Sequence, residues 1–221
     1  MIEILIQNWA GFSRGALVTL HLTLWVWLIG LLLGVPFGWF RGQLVNRSGE
    51  AGVSLIFLAL GSVPVLVYLF WFHFPVQEVL GVVWPPFITS ALVLGIFNSF
   101  MVSDVVRSAL AEFPKEYEDV ARTNGLSYRT YLREIKGPLI LISSLPAYLA
   151  TQVAAMHTTL FASLISVEEL FRQAQRINSV EYKPVEIYSV LILFYFAFSF
   201  PLMLASRFLE RRFNKFRRPS T

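Results

Sequence analysis

The chain has no cysteine among its 221 residues. That absence excludes a disulfide framework, a thiolate zinc or iron–sulfur centre and a cysteine nucleophile. Charge is also scarce: Asp, Glu, Lys and Arg make up 14% of the residues and hydrophobic side chains 56%. Soluble domains carry about 25% charged residues, so this balance excludes a soluble globule. It equally excludes a disordered chain, which needs few apolar residues and a high net charge to stay unfolded. The sequence lacks a G-x-x-x-x-G-K-[ST] phosphate loop and an H-E-x-x-H zinc motif, and Ser144 and Ser163 have no G-x-S-x-G setting. Its three histidines, His21, His73 and His157, lie in separate segments without ligand spacing. No catalytic set, metal site or cofactor is therefore expected, and an intramembrane enzyme is the least favoured class.

What the chain does have is charge-free length. A membrane-spanning helix needs about 20 apolar residues to cross roughly 30 Å of hydrocarbon. Five runs without Asp, Glu, Lys or Arg qualify: Gly15 to Phe40, Ala51 to Gln77, Val79 to Ser103, Gly137 to Val167 and Ile187 to Ser206. Pro85 and Pro86 push the start of the third helix to about Phe87. The expectation is an all-α integral membrane protein of one domain, residues 1–221, with spans at about 15–40, 51–74, 86–107, 138–166 and 186–207. A loop at 108–137 and another at 167–185 separate the later spans. The first span starts too late, and is too long, for a cleaved signal peptide. Met1 to Trp9 alternates apolar Ile2, Ile4, Leu5, Ile6 and Trp9 with polar residues, which suits a short amphipathic helix on the membrane surface.

Cations are retained on the cytoplasmic side of a membrane protein. Of the 18 Lys and Arg, 14 fall after spans one, three and five, among them Arg41, Arg47, Arg107, Lys136 and the Arg211 to Arg218 cluster. Only Arg14, Arg172, Arg176 and Lys183 fall on the other side. The N-terminus is therefore expected outside and the C-terminus in the cytoplasm. The net charge of +4 reads as topology and attraction to lipid headgroups, not as nucleic-acid binding.

The loop from Arg107 to Pro138 has its own punctuation. Pro114 suits a first helical position, Glu116, Glu118 and Asp119 favour the positive end of a helix dipole, and Gly125 after Asn124 provides a left-handed stop. Phe113, Tyr117, Val120, Ala121 and Asn124 recur at spacings of three and four, a narrow stripe that another protein can bury. A second short helix is expected from the N-cap Ser127 to Lys136, broken by Gly137 and Pro138 before span four. Two helices joined at a glycine elbow make a lever. The alternative is an ordinary interfacial loop.

Asp119-Val120-Ala121, then Gly125, then Ile135-Lys136-Gly137-Pro138 resembles the EAA loop of permease subunits in binding-protein-dependent ABC importers. The spacing agrees throughout, with Asp, Val and Gly137 standing for Glu, Ala and Leu. Thr19 to Gly38 with Gly34 and Gly38, Asp104 three residues before Arg107, and Glu169-Leu170 after Ile165 resemble the polar amino-acid permeases within that group. So do Arg172 to Ile177, Lys183 to Tyr188 and Leu209 to Arg212, so the likeness covers almost the whole chain. It departs at Gly61-Ser62-Val63-Pro64, where the family has Arg-Gly-Thr-Pro, and at His157 to Phe161, where it has Lys-Asp-Thr-Ser-Leu.

The resemblance implies a type I ABC importer permease fold and a transmembrane subunit forming the path for a polar amino acid or related compound. It implies as partners ABC ATPase subunits, a second permease subunit and an extracytoplasmic substrate-binding protein that docks near Ser166 to Lys183, all in a bacterial inner membrane. Pro114, Tyr117, Asp119, Val120, Ala121, Gly125, Ile135 and Pro138 become the expected ATPase-coupling residues. A structural or signalling membrane subunit is the other reading.

Polar groups inside spans are functional candidates when they face the bundle interior. Asn98, Gln152, His157, Thr158 and Thr159 are the candidates for the substrate path, with Gln152, His157 and Thr159 sharing much of one helical face. The alternative is that the hydroxyls bond the preceding turn and Asn98 and His157 pair with neighbouring helices. Asp104 and Arg107, one turn apart, are expected to form a local ion pair.

Overall fold

The computed structural model describes residues 2–43 and 48–217, with side chains for 2–43 and 52–212. Arg47, Arg218, and the side chains of Lys215 and Arg217 lie outside the described residues. All regular structure described is helical. The elements are α1 (Ile2–Gln7), α2 (Trp9–Gln43), α3 (Ser48–Gly61), α4 (Val65–His73), α5 (Pro75–Leu80), α6 (Pro86–Ala111), α7 (Glu116–Thr123) and α8 (Tyr128–Thr130). A π-helical segment (Tyr131–Lys136), α9 (Gly137–Thr158), a 3-10 segment (Thr159–Ile165), α10 (Leu170–Glu181) and α11 (Pro184–Arg217) complete the chain.

Four helical stretches are long and apolar enough to cross a membrane: α2, α6, Tyr128–Ile165 and α11. The expected second span is not one continuous helix. It is α3 followed by α4 and α5 (Gly52–Gly61 and Val65–Leu80), bent by 79° at the break, so the count reaches five only if that bent pair crosses as one span. The bend sits at Gly61-Ser62-Val63-Pro64. Pro64 has no N–H to donate to the preceding turn and drives Val63 out of the helical region, while Pro64 itself, at φ −56° and ψ 135°, starts α4 as its N-cap. The Tyr68 hydroxyl donates to the Leu60 carbonyl across the break at 3.0 Å, satisfying a carbonyl that the bend would orphan.

The frame is the parallel pair α2 and α6. Gly30, Gly34 and Gly38 recur every fourth residue on the buried face of α2, so the two backbones approach closely along that face. A Cβ at Gly34 would meet the Ser99 carbonyl and Val102 at 2.7 Å, and one at Gly38 would meet the Ser103 carbonyl at 2.5 Å. Leu22, Val26, Leu69, Leu94, Ala155 and Ile165 form the apolar core around this pair. A second cluster joins α1, α10 and α11 to the start of α2 through Ile4, Phe12, Leu170, Ile177, Ile187 and Val190. Large apolar side chains such as Leu17, Leu32, Leu141 and Ile192 face outward, as expected where hydrocarbon replaces water.

The expected break at Gly137 and Pro138 does not occur. The helix from Tyr128 runs on into α9, because Tyr131 to Lys136 is wound with the wider π register and the Gly137 N–H donates to the Leu132 carbonyl. The wider turn makes room for a proline whose ring would otherwise strike the carbonyl four residues back. A Cβ at Gly137 would meet the Leu132 oxygen at 2.7 Å, so the glycine belongs to the π turn.

Candidate functional site

At one end of the bundle α7 and α8 form the elbow. Lys115 is the N-cap of α7, its carbonyl accepting from the Glu118 and Asp119 N–H groups at 2.9 and 3.1 Å, so Pro114 precedes the helix instead of opening it. Glu116, Glu118 and Asp119 lie in the first turn, as expected. Gly125 has φ +69°, and Leu126 and Gly125 donate back to the Ala121 and Arg122 carbonyls at 3.0 Å each, a glycine-terminated helix end. The Ser127 hydroxyl caps α8, accepting from the Thr130 N–H at 3.2 Å. The expected stripe divides. Ala121 turns inward and is buried along with Tyr131, while Tyr117 and Val120 are exposed and Asp119 and Pro138 face outward too. Phe113, half-buried, packs on Tyr117 at 5.5 Å between ring centroids, and the Lys136 ammonium lies 5.6 Å over the Phe113 ring. Ile135 is half-buried in the π segment.

Where α2 and α6 approach this elbow, the structure holds a charged node. Arg41, only 3% exposed, donates through Nη1 to Asp104 Oδ1 at 2.8 Å and Ser103 Oγ at 3.1 Å. Its guanidinium lies 3.9 Å over the ring of Phe57 on α3, and Phe57 in turn stacks on Phe37 and meets Phe100 edge-on. Arg107, the expected partner of Asp104, is 3.9 Å away, so the closer and better-aligned partner is Arg41, from a helix 63 residues earlier.

In the middle of the bundle Asn98 and Gln152 meet. Both are buried, at 1% and 2% exposed. Asn98 Nδ2 donates to Gln152 Oε1 at 3.1 Å and to the Val26 carbonyl at 3.2 Å, and Trp27 Nε1 donates to the Gln152 carbonyl at 2.9 Å. Gly30 makes room for this bridge, since a Cβ there would overlap the Asn98 amide. One polar atom on each side chain, Asn98 Oδ1 and Gln152 Nε2, is buried without a hydrogen-bond partner.

The other path candidates are not part of that cluster. Thr158 and Thr159 donate to the Ala155 and Met156 carbonyls at 2.7 Å. His157 is exposed and faces α11, with Nε2 3.3 Å from Ser199 Oγ. The shared face expected for Gln152, His157 and Thr159 is therefore divided: Gln152 and Thr159 are buried while His157 lies outside.

At the opposite end, Glu169 is fully buried. Its carboxylate caps α10, accepting from the Arg172 N–H on Oε1 at 2.7 Å and from the Phe171 N–H on Oε2 at 2.9 Å. Thr19 on α2 completes the joint. Its hydroxyl accepts from the Leu170 N–H at 3.0 Å and lies 3.5 Å from Glu169 Oε2. Burial pushes the Glu169 carboxyl up to about 7, against the opposing pull of these donors.

Comparison with known proteins gives this arrangement its context. Residues 28–215 match the family described as binding-protein-dependent transport system inner membrane component. The chain belongs to that family. As an inner-membrane component it is a translocation subunit of a binding-protein-dependent transport system, a family whose members work with ATPase and binding-protein partners. It is 29% identical over 210 residues to the probable glutamine ABC transporter permease protein GlnP of Bacillus subtilis, covering 92% of each chain. It is 26% identical to the glutamine transport system permease protein GlnP of Escherichia coli K12, covering 86% of this chain and 89% of that one. Its fold superposes with a TM-score of 0.79 at 24% identity on a crystal structure of an amino acid ABC transporter with histidines, covering 94% and 96% of the two chains. An inward-facing MetNI methionine ABC transporter gives a TM-score of 0.73 at 18% identity.

Within this family member, sequence reasoning overlooked Arg41 as anything beyond a topology cation, and Glu169 as anything beyond a motif residue. Arg41 had a signal, a lone cation at the end of a glycine-stepped helix face. Glu169 had a weaker one, an acid placed just where an N-cap belongs, before Leu170.

Proposed function

We propose that this chain is the permease subunit of an ATP-driven importer for polar amino acids or closely related compounds. It acts as one of two such subunits around a pore, with α1 and α10 outside and α7 in the cytoplasm. Relatives carry the names of glutamine, L-cystine, nopaline and arginine permeases, all of them amino acids or amino-acid derivatives. The observation that carries the mechanism is continuity: the elbow that ends α8 enters α9 through the π segment without a break.

In this reading the exposed Tyr117 and Val120, with Asp119, Pro114 and Gly125 shaping them, form the knob that an ATPase subunit grips. ATP hydrolysis takes place in that partner. Closure of two ATPases displaces the knobs, Ala121, Ile135 and Pro138 pass the displacement to α9, and α6 follows through the short link 112–115. Asn98 and Gln152 sit where α2, α6 and α9 converge, so the movement reaches a polar pair with unused hydrogen-bonding capacity. His157, facing away from that pair, lines the path only if the space between α9 and α11 belongs to it. Thr158 and Thr159 have spent their hydroxyl protons on the preceding turn and act as packing.

The test is reconstitution of the chain with its ATPase and binding protein in liposomes. Asp119→Lys, or Gly125 replaced by Val, is expected to leave insertion intact, to leave ATP hydrolysis running, and to abolish uptake of glutamine or arginine. Wild-type uptake from both variants would remove the coupling role.

A further inference from the structure

Glu169 is a buried carboxylate with no cationic partner among the described residues. From α2 it meets the Thr19 hydroxyl; from its own turn, two backbone N–H groups. From α11 the Tyr195 hydroxyl lies close enough to interact with it but makes no aligned hydrogen bond. Other charges nearby point elsewhere. Glu168 accepts from Gln173 Nε2 at 2.8 Å and faces Arg172 and Arg176 at 3.9 and 4.0 Å. His157 reaches only the edge of the Tyr195 ring, 6.2 Å between centroids. Leu170, the next residue, belongs to an apolar cluster with Phe12, Ala16 and Ile187. Gly15 packs directly beneath the same turn, where a Cβ would meet the Leu170 Cα at 2.9 Å and Gln173 Cγ at 2.8 Å.

We propose that Glu169 is a positioning residue that works as a proton-operated clasp between α10 and α2, holding α10 down when it is neutral and releasing it when it ionises. The sign follows from desolvation. Taking a carboxylate out of water without a countercharge disfavours its charged form, so the docked arrangement keeps the proton. Ionisation favours the arrangement in which the carboxylate reaches water, and reaching water requires α10 to lift from Thr19 and Gly15. The two backbone N–H donors stay with Glu169 in either arrangement, because they belong to its own turn, so they do not hold α10 to α2. Thr19 and the fit over Gly15 do.

On the orientation of the proposed function, on which this step rests, α10 lies on the side from which substrate arrives and bridges the spans α9 and α11. Its docking then sets how firmly that mouth is covered. The clasp is closed on an acidic outer side and loosened as that side approaches neutrality.

The experiment is amide hydrogen exchange of residues 173–181 in the assembled importer in lipid nanodiscs from pH 5.5 to 8.5, corrected for intrinsic exchange rates. Wild type is expected to lose protection about tenfold between pH 5.5 and 7 and little more above it. Glu169→Gln, a neutral side chain of the same shape, is expected to stay protected across the range. Thr19→Val, which removes the joint, is expected to show low protection throughout. A wild-type profile without a step, or a Glu169→Gln profile with the same step, overturns the clasp. Uptake is measured in parallel in liposomes. A step in protection without amino-acid uptake supports the clasp and counts against the transport assignment, whereas normal uptake without a step overturns the clasp alone.

Discussion

Toward the two ends of α2 lie the buried acid and base found among the described residues, Glu169 and Arg41, and they solve the same problem in opposite ways. At the α7 end, Arg41 is compensated: an acid at 2.8 Å, a hydroxyl at 3.1 Å and an aromatic face at 3.9 Å. At the α10 end, Glu169 receives only neutral donors. A guanidinium cannot shed its charge in a protein, so it must be paired. A carboxyl can, so it tolerates isolation by taking up a proton. The first end is thereby a fixed joint and the second an adjustable one.

The largest effect is expected from unpairing the fixed joint. Asp104→Ala strands the Arg41 charge and should lower stability by about 3 kcal/mol, at the modest end for a broken buried pair because Asp104 itself is half exposed. Arg41→Met removes the charge, keeps much of the stem, and should cost only about 1 kcal/mol. Thermal unfolding of the two purified variants decides; equal losses would mean that the charge is not what the node compensates.

Next come the glycines beneath each joint. Gly38→Val pushes a side chain into the Ser103 carbonyl and Val106, with α6 unable to retreat, for a loss of about 2 to 3 kcal/mol. Gly15→Val meets Leu170 and Gln173, where α10 can yield, so about 1 kcal/mol is expected, with the damage confined to α10. Proteolysis or hydrogen exchange mapped along the chain distinguishes local from global loosening.

A third test sharpens the contrast through pH. The Glu169 carboxyl is raised from 4.5 to about 7 in the folded chain, so folding takes up a proton between those values. Its contribution to stability is present in full below about 4.5 and is lost as pH rises through about 7. The unfolding temperature should therefore drift down over that interval in wild type, and the drift should be smaller in Glu169→Gln.

The smallest effects on stability belong to positions away from both joints. Gly125 has a left-handed φ and no atom within 4 Å of where a Cβ would sit, so Gly125→Ala costs roughly 1 kcal/mol from backbone conformation alone. Its main readout is uptake per ATP hydrolysed. His157→Ala gives up an exposed contact to Ser199 and an edge contact to the Tyr195 ring and should leave the unfolding temperature nearly unchanged. Altered uptake affinity would place it on the path, and unchanged affinity would return it to packing.

These contrasts also mark what the sequence could convey. Charge-free length located the membrane helices, because hydrocarbon sets one dominant requirement, and Ser127, Gly125 and the acidic first turn of α7 announced their caps by local chemistry. What stayed hidden depends on partners far along the chain. Nothing near Arg41 says that it pairs across 63 residues with Asp104, and nothing near Asn98 names Gln152, 54 residues on. One local reading failed for a local reason. Pro64 and Pro138 look alike as helix breakers, yet one produces a 79° bend and the other passes through a helix whose register had widened in advance. His157 and Thr159 illustrate a further limit: the 3-10 winding that begins at Thr159 undoes any facing deduced from a period of 3.6.

The π segment also fixes an angle. In an α-helix each residue advances the chain by about 100° around the axis, so one surplus residue would turn everything before it unless the turn widens to absorb it. Deleting a single residue between Tyr131 and Lys136, enough to let the wide turn close, would therefore leave α7 and α8 close to their present bearing, whereas deleting one from the α-helical turns of α9 would swing them roughly 100° around it. The width of this one turn lets the chain carry one residue more without changing the bearing at which Tyr117 and Val120 are presented.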